Sequence, residues 1–226
     1  MIGINGDVKN DSAPAIQIEL NYIDAVRRAG GIPIVFPAGA PEDVPELLKR
    51  VDALILTGGG DMDLRALGIP LHPSVQLMDR RRQDFDFALS NAVLNQQIPT
   101  LGICLGMQML AIAGGGKMYQ HLPDSKINNI LNHRAEHAVE MDRSSRLASI
   151  LGVTKTNVVS HHHQGVSEVP RMFKISAHAP DGLIEAFESA NGHFLMGVQW
   201  HPERSPDSPE SQALFKALVD AAMASK

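Results

Sequence analysis

Short apolar runs alternate with amphipathic stretches along the first half of the chain. Residues 1–4, 32–36, 53–56 and 98–103 are β-rich, with little polar alternation, as in strands buried on both faces. Between them lie stretches with helical spacing, at 15–29, 41–50, 80–97 and 107–113. The first of these places Ile16, Leu20, Ile23 and Val26 at helical intervals and ends at Gly30-Gly31. Pro41 sits near the first turn of the second. Strands separated by helices predict a parallel sheet in an α/β fold.

After Gly114-Gly115-Gly116 the pattern changes. Residues 117–120, 138–141, 157–160, 173–178, 183–188 and 194–199 read as short strands. Asp181-Gly182 and Asn191-Gly192 supply hairpin turns for the last three, and 208–224 reads as a closing helix. The second half is therefore expected to add antiparallel strands to one side of the same sheet. With no linker and no internal repeat, the expectation is a single α/β domain over 1–226, its mostly parallel central sheet flanked by helices.

Composition narrows the function. The chain has 226 residues, 44% of them hydrophobic and 20% charged, with a formal net charge of −5. That is the composition of an ordinary globular domain with a sizeable core. Lys and Arg are scattered, so neither a nucleic-acid surface nor a polybasic membrane anchor is expected. The most apolar long stretch, 101–116, contains Gln108 and five glycines and is too short and interrupted to span a bilayer. The first seven residues lack the charged and apolar regions of a signal peptide. The one cysteine, Cys104, fits a reducing compartment, so the cytoplasm is the expected location.

Cys104 stands in Gly102-Ile103-Cys104-Leu105-Gly106, where a strand becomes a helix. A nucleophile on such a turn projects above the sheet, and glycines two residues before and after remove side chains that would clash. The helix N-terminus behind it favours thiolate and offers free backbone N–H groups to an oxyanion. Thr57-Gly58-Gly59-Gly60-Asp61 follows another strand, on the sheet edge where sites form. No Gly-Lys-Ser/Thr follows it, so a phosphate-binding loop is not indicated. Gln199-Trp200-His201-Pro202-Glu203 ends the last β run. His201 can exchange a proton with a cysteine nucleophile, and Glu203 can fix its tautomer. In His161-His162-His163-Gln164, alternate residues of an extended segment face opposite ways, so at most His161 and His163 could chelate together. No further zinc-type spacing accompanies them, and no metal is expected.

In this order, residues 56–63, 101–108, 160–164 and 198–203, with Asp181-Gly182 and Glu185-Ala186, resemble the class I glutamine amidotransferases. More narrowly, they resemble the peptidase C26 group that includes γ-glutamyl-γ-aminobutyrate hydrolases. The resemblance implies the flavodoxin-related amidotransferase fold and no cofactor. It implies Cys104 as nucleophile, His201 and Glu203 as its partners, and amides of Leu105 and of Gly59 or Gly60 as the oxyanion hole. It places Gln108 and the backbone of Ser160, His161 and His162 on the glutamyl head. The implied reaction is hydrolysis of γ-glutamyl amides of small amines, such as those of polyamine catabolism, through a thioester. A glutaminase subunit feeding ammonia to a separate synthase partner is the alternative, and an idle ligand- or protein-binding member the second. A homodimer is common for folds of this size.

Several positions depart from the pattern of the hydrolases. Leu105 replaces the usual Arg after the nucleophile, and Arg82-Gln83-Asp84-Phe85-Asp86 replaces Arg-Asp-x-Phe-Glu. Residues 61–82 and 125–136, the latter including Asn128, Asn129, His133 and Arg134, are expected to shape the rim on the leaving-group side.

Overall fold

The computed structural model of the chain describes residues 1–10 and 13–224. In chain order the elements are β1 (Ile2–Asn5), β2 (Asp7–Asn10), β3 (Pro14–Gln17), α1 (Leu20–Arg28), β4 (Pro33–Phe36), α2 (Val44–Leu48) and β5 (Ala53–Leu56). Next come α3 (Arg80–Gln96), β6 (Thr100–Ile103), α4 (Leu105–Ala113), β7 (Lys117–Tyr119), β8 (His137–Met141) and α5 (Arg146–Leu151). The chain continues through β9 (Lys155–Val158), β10 (Gly165–Glu168), β11 (Phe173–His178), β12 (Ile184–Ser189), β13 (Leu195–Val198) and α6 (Pro209–Ala224).

One nine-stranded sheet organises them, in the order β4-β1-β5-β6-β13-β12-β11-β8-β9. The first five strands run parallel; the pairs from β13 to β9 are antiparallel. The expected antiparallel addition on one side is thus present, and β13 joins the halves by pairing parallel to β6 and antiparallel to β12. The sheet separates two cores. Along β5, Ala53 and Ile55 face a cluster with Tyr22, Val26, Leu214 and Leu218. Leu54 and Leu56 face the other, with Val44, Phe85, Leu89 and Leu110. Helices on both faces are why this strand is apolar at every position.

Four local expectations differ from the structure. The helix read over 15–29 begins only at Leu20; residues Pro14–Gln17 form a strand that pairs with β2 as a hairpin. Ile16 and Leu20, taken as the start of an apolar stripe, are exposed, and the helix is anchored by Tyr22 and Val26 instead. The helix read over 41–50 opens as a 3-10 turn, Pro41–Asp43, before α2. The strand at β7 leaves the main sheet and pairs with β10, which the pattern did not indicate. Helix α5 was not indicated either, although Ser145 caps it by accepting from the Ala148 amide at 3.0 Å.

The sheet edge that carries β5 and β6 is closed by one tight approach. A Cβ built on Gly106 would lie 2.2 Å from the backbone oxygen of Leu56, and one on Gly102 would lie 2.8 Å from the Gly106 carbonyl carbon. Only hydrogen at Gly106 lets α4 start against the end of β5. Gly106→Ala is expected to lower stability by at least about 1–3 kcal/mol, the usual cost of overpacking, read as a lower urea midpoint.

Candidate active site

Cys104 adopts φ 51° and ψ −104°, outside the regions that L-residues favour. The turn is held from behind: the Cys104 amide donates to Val198 O at 2.8 Å, tying the elbow to the end of β13. Three residues later that segment delivers His201, whose own amide donates to Val159 O at 2.9 Å. Nucleophile and imidazole are therefore fixed to the same strand end.

His201 Nδ1–H donates to Glu203 Oε1 at 2.7 Å, and the carboxylate is fully buried. With Nδ1 committed, Nε2 is the nitrogen left for the Cys104 thiol. Burial disfavours the His201 cation. The charge of Cys104, the hydrogen bond to it, and Glu203 outweigh that and push the imidazole up to about 10. An imidazolium beside the sulfur can support a thiolate and then protonate a leaving amine.

The glycine loop faces the same cleft, which Gly58, Gly59, Gly60, Cys104, His161 and His201 line. The Gly58 amide donates to Tyr22 Oη at 3.0 Å, and that of Asp61 to Gln76 O at 3.0 Å. Between them the amides of Gly59 and Gly60 have no acceptor among the described residues. The Leu105 amide opens α4 and has no intrahelical partner. All three expected oxyanion donors thus stand free, on the two loops that flank the sulfur. The Leu105 side chain is buried with Met62, Leu64 and Met109. Its side chain takes no part in lining the cleft.

What holds the loop is Arg82, whose side chain is wholly buried. It lies between Asp7 (2.7 Å) and Asp86 (3.1 Å) and donates to Gly58 O at 2.7 Å and Thr57 Oγ1 at 3.1 Å. A Cβ on Gly59 would lie 2.4 Å from Arg82 Nη1. The sequence reading placed this segment on the leaving-group rim. Its arginine is instead the floor of the glycine loop, and a guanidinium from a helix four residues before an aspartate was the available signal.

The other expected substrate contacts divide. Gln108 is buried, lines the second lobe of the cleft, and donates from Nε2 to Gln199 Oε1 at 3.2 Å. His161 is exposed and lines both lobes. Ser160 is buried, and its hydroxyl has no partner. The His162 side chain is buried and turned toward Glu185. His163 turns the opposite way, to Asp61 at 3.0 Å. Of the rim segment, Arg134 reaches the cleft, whereas His133 is buried between Asp181 and Glu185.

This mixed sheet, with its strand-to-helix turn at Cys104, belongs to the class I glutamine amidotransferase fold. A glutamine amidotransferase structure from Thermotoga maritima matches with a TM-score of 0.64 at 17% identity, over 98% of this chain and 95% of that one. The chain itself belongs to the peptidase C26 family, whose model matches residues 1–203. A Mycobacterium tuberculosis relative, named provisionally as a glutamine amidotransferase, is 38% identical, covering 92% of this chain and 68% of that protein. The γ-glutamyl-γ-aminobutyrate hydrolase PuuD of Escherichia coli K12 is 30% identical, covering 90% of this chain and 85% of that protein. Among the described residues no helix is long and apolar enough to cross a membrane.

Two outcomes follow from this geometry. His201 is raised from 6.5 to about 10, so its cation is lost as pH rises through that value. Turnover should fall on the alkaline side near pH 10. The stability it contributes is complete below pH 6.5 and is lost over the same rise. Glu203→Gln should move the alkaline limb of a pH–rate profile downward and cost on the order of 10²–10⁴ in rate. Separately, Arg82→Met leaves Asp86 buried without its cation, which should cost about 3–5 kcal/mol in urea unfolding.

Proposed function

We propose that this protein hydrolyses γ-glutamyl amides of small amines, using Cys104 as nucleophile. The observation that carries the reading is the strained elbow that sets Cys104 in one cleft with His201, whose Nδ1 is held by Glu203 at 2.7 Å. A binding module has no need of a nucleophile held in this way. The family membership and the name of the E. coli relative support a γ-glutamyl substrate.

In this reading the Cys104 thiolate attacks the γ-carbonyl carbon. The carbonyl electrons move to oxygen, where amides of Leu105 and of Gly59 or Gly60 receive them. As the tetrahedral intermediate collapses, the C–N bond breaks and His201 gives its proton to the departing amine. Neutral His201 then takes a proton from water, whose oxygen attacks the thioester. Glutamate leaves and the thiolate–imidazolium pair is restored. Gln108 and the backbone of residues 160–162 hold the glutamyl head, with His161 at the mouth.

The test incubates the purified protein with glutamine and with a panel of γ-glutamyl amines, including γ-glutamyl-γ-aminobutyrate and γ-glutamyl derivatives of diamines. Glutamate release is followed, with Cys104→Ala as control. Release from the γ-glutamyl amines well above that from glutamine, abolished in Cys104→Ala, is expected. Release from glutamine only on adding a partner fraction would favour a glutaminase subunit, and no release from any substrate would overturn the hydrolase.

A further inference from the structure

Behind the cleft wall, away from Cys104, three histidine side chains converge on one buried carboxylate. His133 Nδ1 lies 3.1 Å from Glu185 Oε1, His137 Nε2 lies 3.3 Å from it, and His162 Nε2 lies 3.6 Å from it. Each of these side chains is nine-tenths buried or more, and Glu185 completely so.

The outer nitrogens decide the chemistry. His162 Nδ1 faces the backbone oxygen of Gln164 at 2.8 Å, and His137 Nδ1 faces that of Ala135 at 3.2 Å. A carbonyl oxygen only accepts, so His162 Nδ1 carries its proton, while neutral His137 has one proton for two acceptors, Ala135 O and Glu185 Oε1. His133 Nε2 faces Asp181 Oδ2 at 2.8 Å. That carboxylate also accepts from the amides of Leu131 and Leu183 and is held ionised, so it too receives a proton from the ring. When these rings are neutral, His133 Nδ1 and His162 Nε2 therefore each present a lone pair to the Glu185 carboxylate. His133 Nδ1, His162 Nε2 and Glu185 Oε2 have no hydrogen-bond partner among the described residues. Buried acceptors pointed at one another repel unless a cation lies among them.

One proton on one ring would relieve one of these contacts; a divalent ion relieves all of them. Zinc binds imidazole nitrogen and carboxylate oxygen at about 2.0–2.1 Å, so neighbouring ligand atoms of a tetrahedral site stand about 3.3 Å apart. The separations of His133 and His137 from Glu185 Oε1, 3.1 and 3.3 Å, lie close to that length. Ligand atoms of His133, His137 and Glu185 all lie within 4.8 Å of one another. Asp181 behind His133, and the carbonyl behind His137, are the outer partners that metal-bound imidazoles use.

We propose that this cluster is a structural zinc site formed by His133, His137 and Glu185, with His162 packed beside it. It joins the segment before β8, the start of β8 and β12, against the segment after β9. The cluster adjoins residues of the cleft: the ligand His133 precedes Arg134, and His162, packed beside the site, follows His161. The His162 amide also donates to His133 O at 3.0 Å. The ion would thus fix the cleft wall that carries Arg134 and His161 without taking part in bond cleavage, and the site stands whether or not the protein is a hydrolase.

The test uses the full chain carrying Cys104→Ala, so that a thiolate beside His201 cannot hold the ion. The chelator-stripped protein is titrated with Zn²⁺ and with Co²⁺, followed by bound-metal analysis, thermal unfolding and the visible absorption of Co²⁺. One tightly held equivalent per chain, a higher unfolding midpoint and the absorption of four-coordinate Co²⁺ without thiolate bands are expected. His137→Asn and Glu185→Gln should each abolish all three. Asp181→Asn, behind the site, should weaken affinity about 10–100-fold. If Glu185→Gln fails to fold, His137→Asn carries the test alone. No stoichiometric metal and no shift in midpoint would overturn the proposal, as would metal retained undiminished in His137→Asn.

Discussion

Everything at the cleft depends on the turn at Cys104. Its backbone is forced to positive φ, which a cysteine adopts only under constraint, and the constraint comes from two directions. From behind, Val198 O takes the Cys104 amide and so joins β6 to β13 at the very residue where the helix begins. From the side, Gly106 allows α4 to touch the Leu56 backbone. The second contact also sets the position of the loop that β5 feeds, so the strained turn and the glycine loop are placed by one packing event. A looser approach would leave the sulfur and the free amides of Gly59 and Gly60 too far apart to act on a single carbonyl.

Charge buried at the loop floor serves that same placement. Arg82 satisfies Gly58 O and Thr57 Oγ1 while two aspartates neutralise it. Burial pushes the Asp86 carboxyl up, and Arg82 only partly offsets this, so the pair is a costly device for stability alone. What it supplies is direction: a planar guanidinium fixes two loop acceptors in one plane, and the amides between Gly58 and Asp61 are left facing outward.

Sequence made the parallel half legible because its strands are buried on both faces and its helices are long or end in glycine. It also exposed the elbow, the glycine loop and the His201–Glu203 pair, since each ends a strand of that half. The failures have a common cause. Pro14–Gln17 lies in an exposed two-stranded ribbon where no clean period marks a strand, and Lys117–Tyr119, a strand as read, pairs in a second ribbon outside the main sheet. The helix expected over 15–29 is present from Leu20, and its false start comes from Ile16, which is exposed in the hairpin. Spacing offered only the Arg82–Asp86 pair on α3; the other partners of Arg82, and those of the cluster around Glu185, lie on different elements. Asp7 is in a hairpin far from α3, and His133, His137 and His162 meet only when β8 and β12 come together through β11 in the antiparallel half.

The run His161-His162-His163 shows how these levels connect. Alternation along an extended segment, used to argue that only the first and third could act together, also means that the middle one must point elsewhere. It points into the buried cluster at Glu185, while His161 opens on the cleft and His163 reaches Asp61 at the end of the glycine loop. Three successive side chains therefore join the interior, the cleft and the oxyanion loop. Glu185 O in turn accepts from the Gln199 amide at 2.8 Å, and Gln199 holds Gln108. A cation at Glu185 would be felt in the cleft through the short covalent path from His133 to Arg134 and this one hydrogen-bonded pair, with no moving part required. The rigidity of the wall would then be set behind the wall itself, by residues that touch neither substrate nor nucleophile.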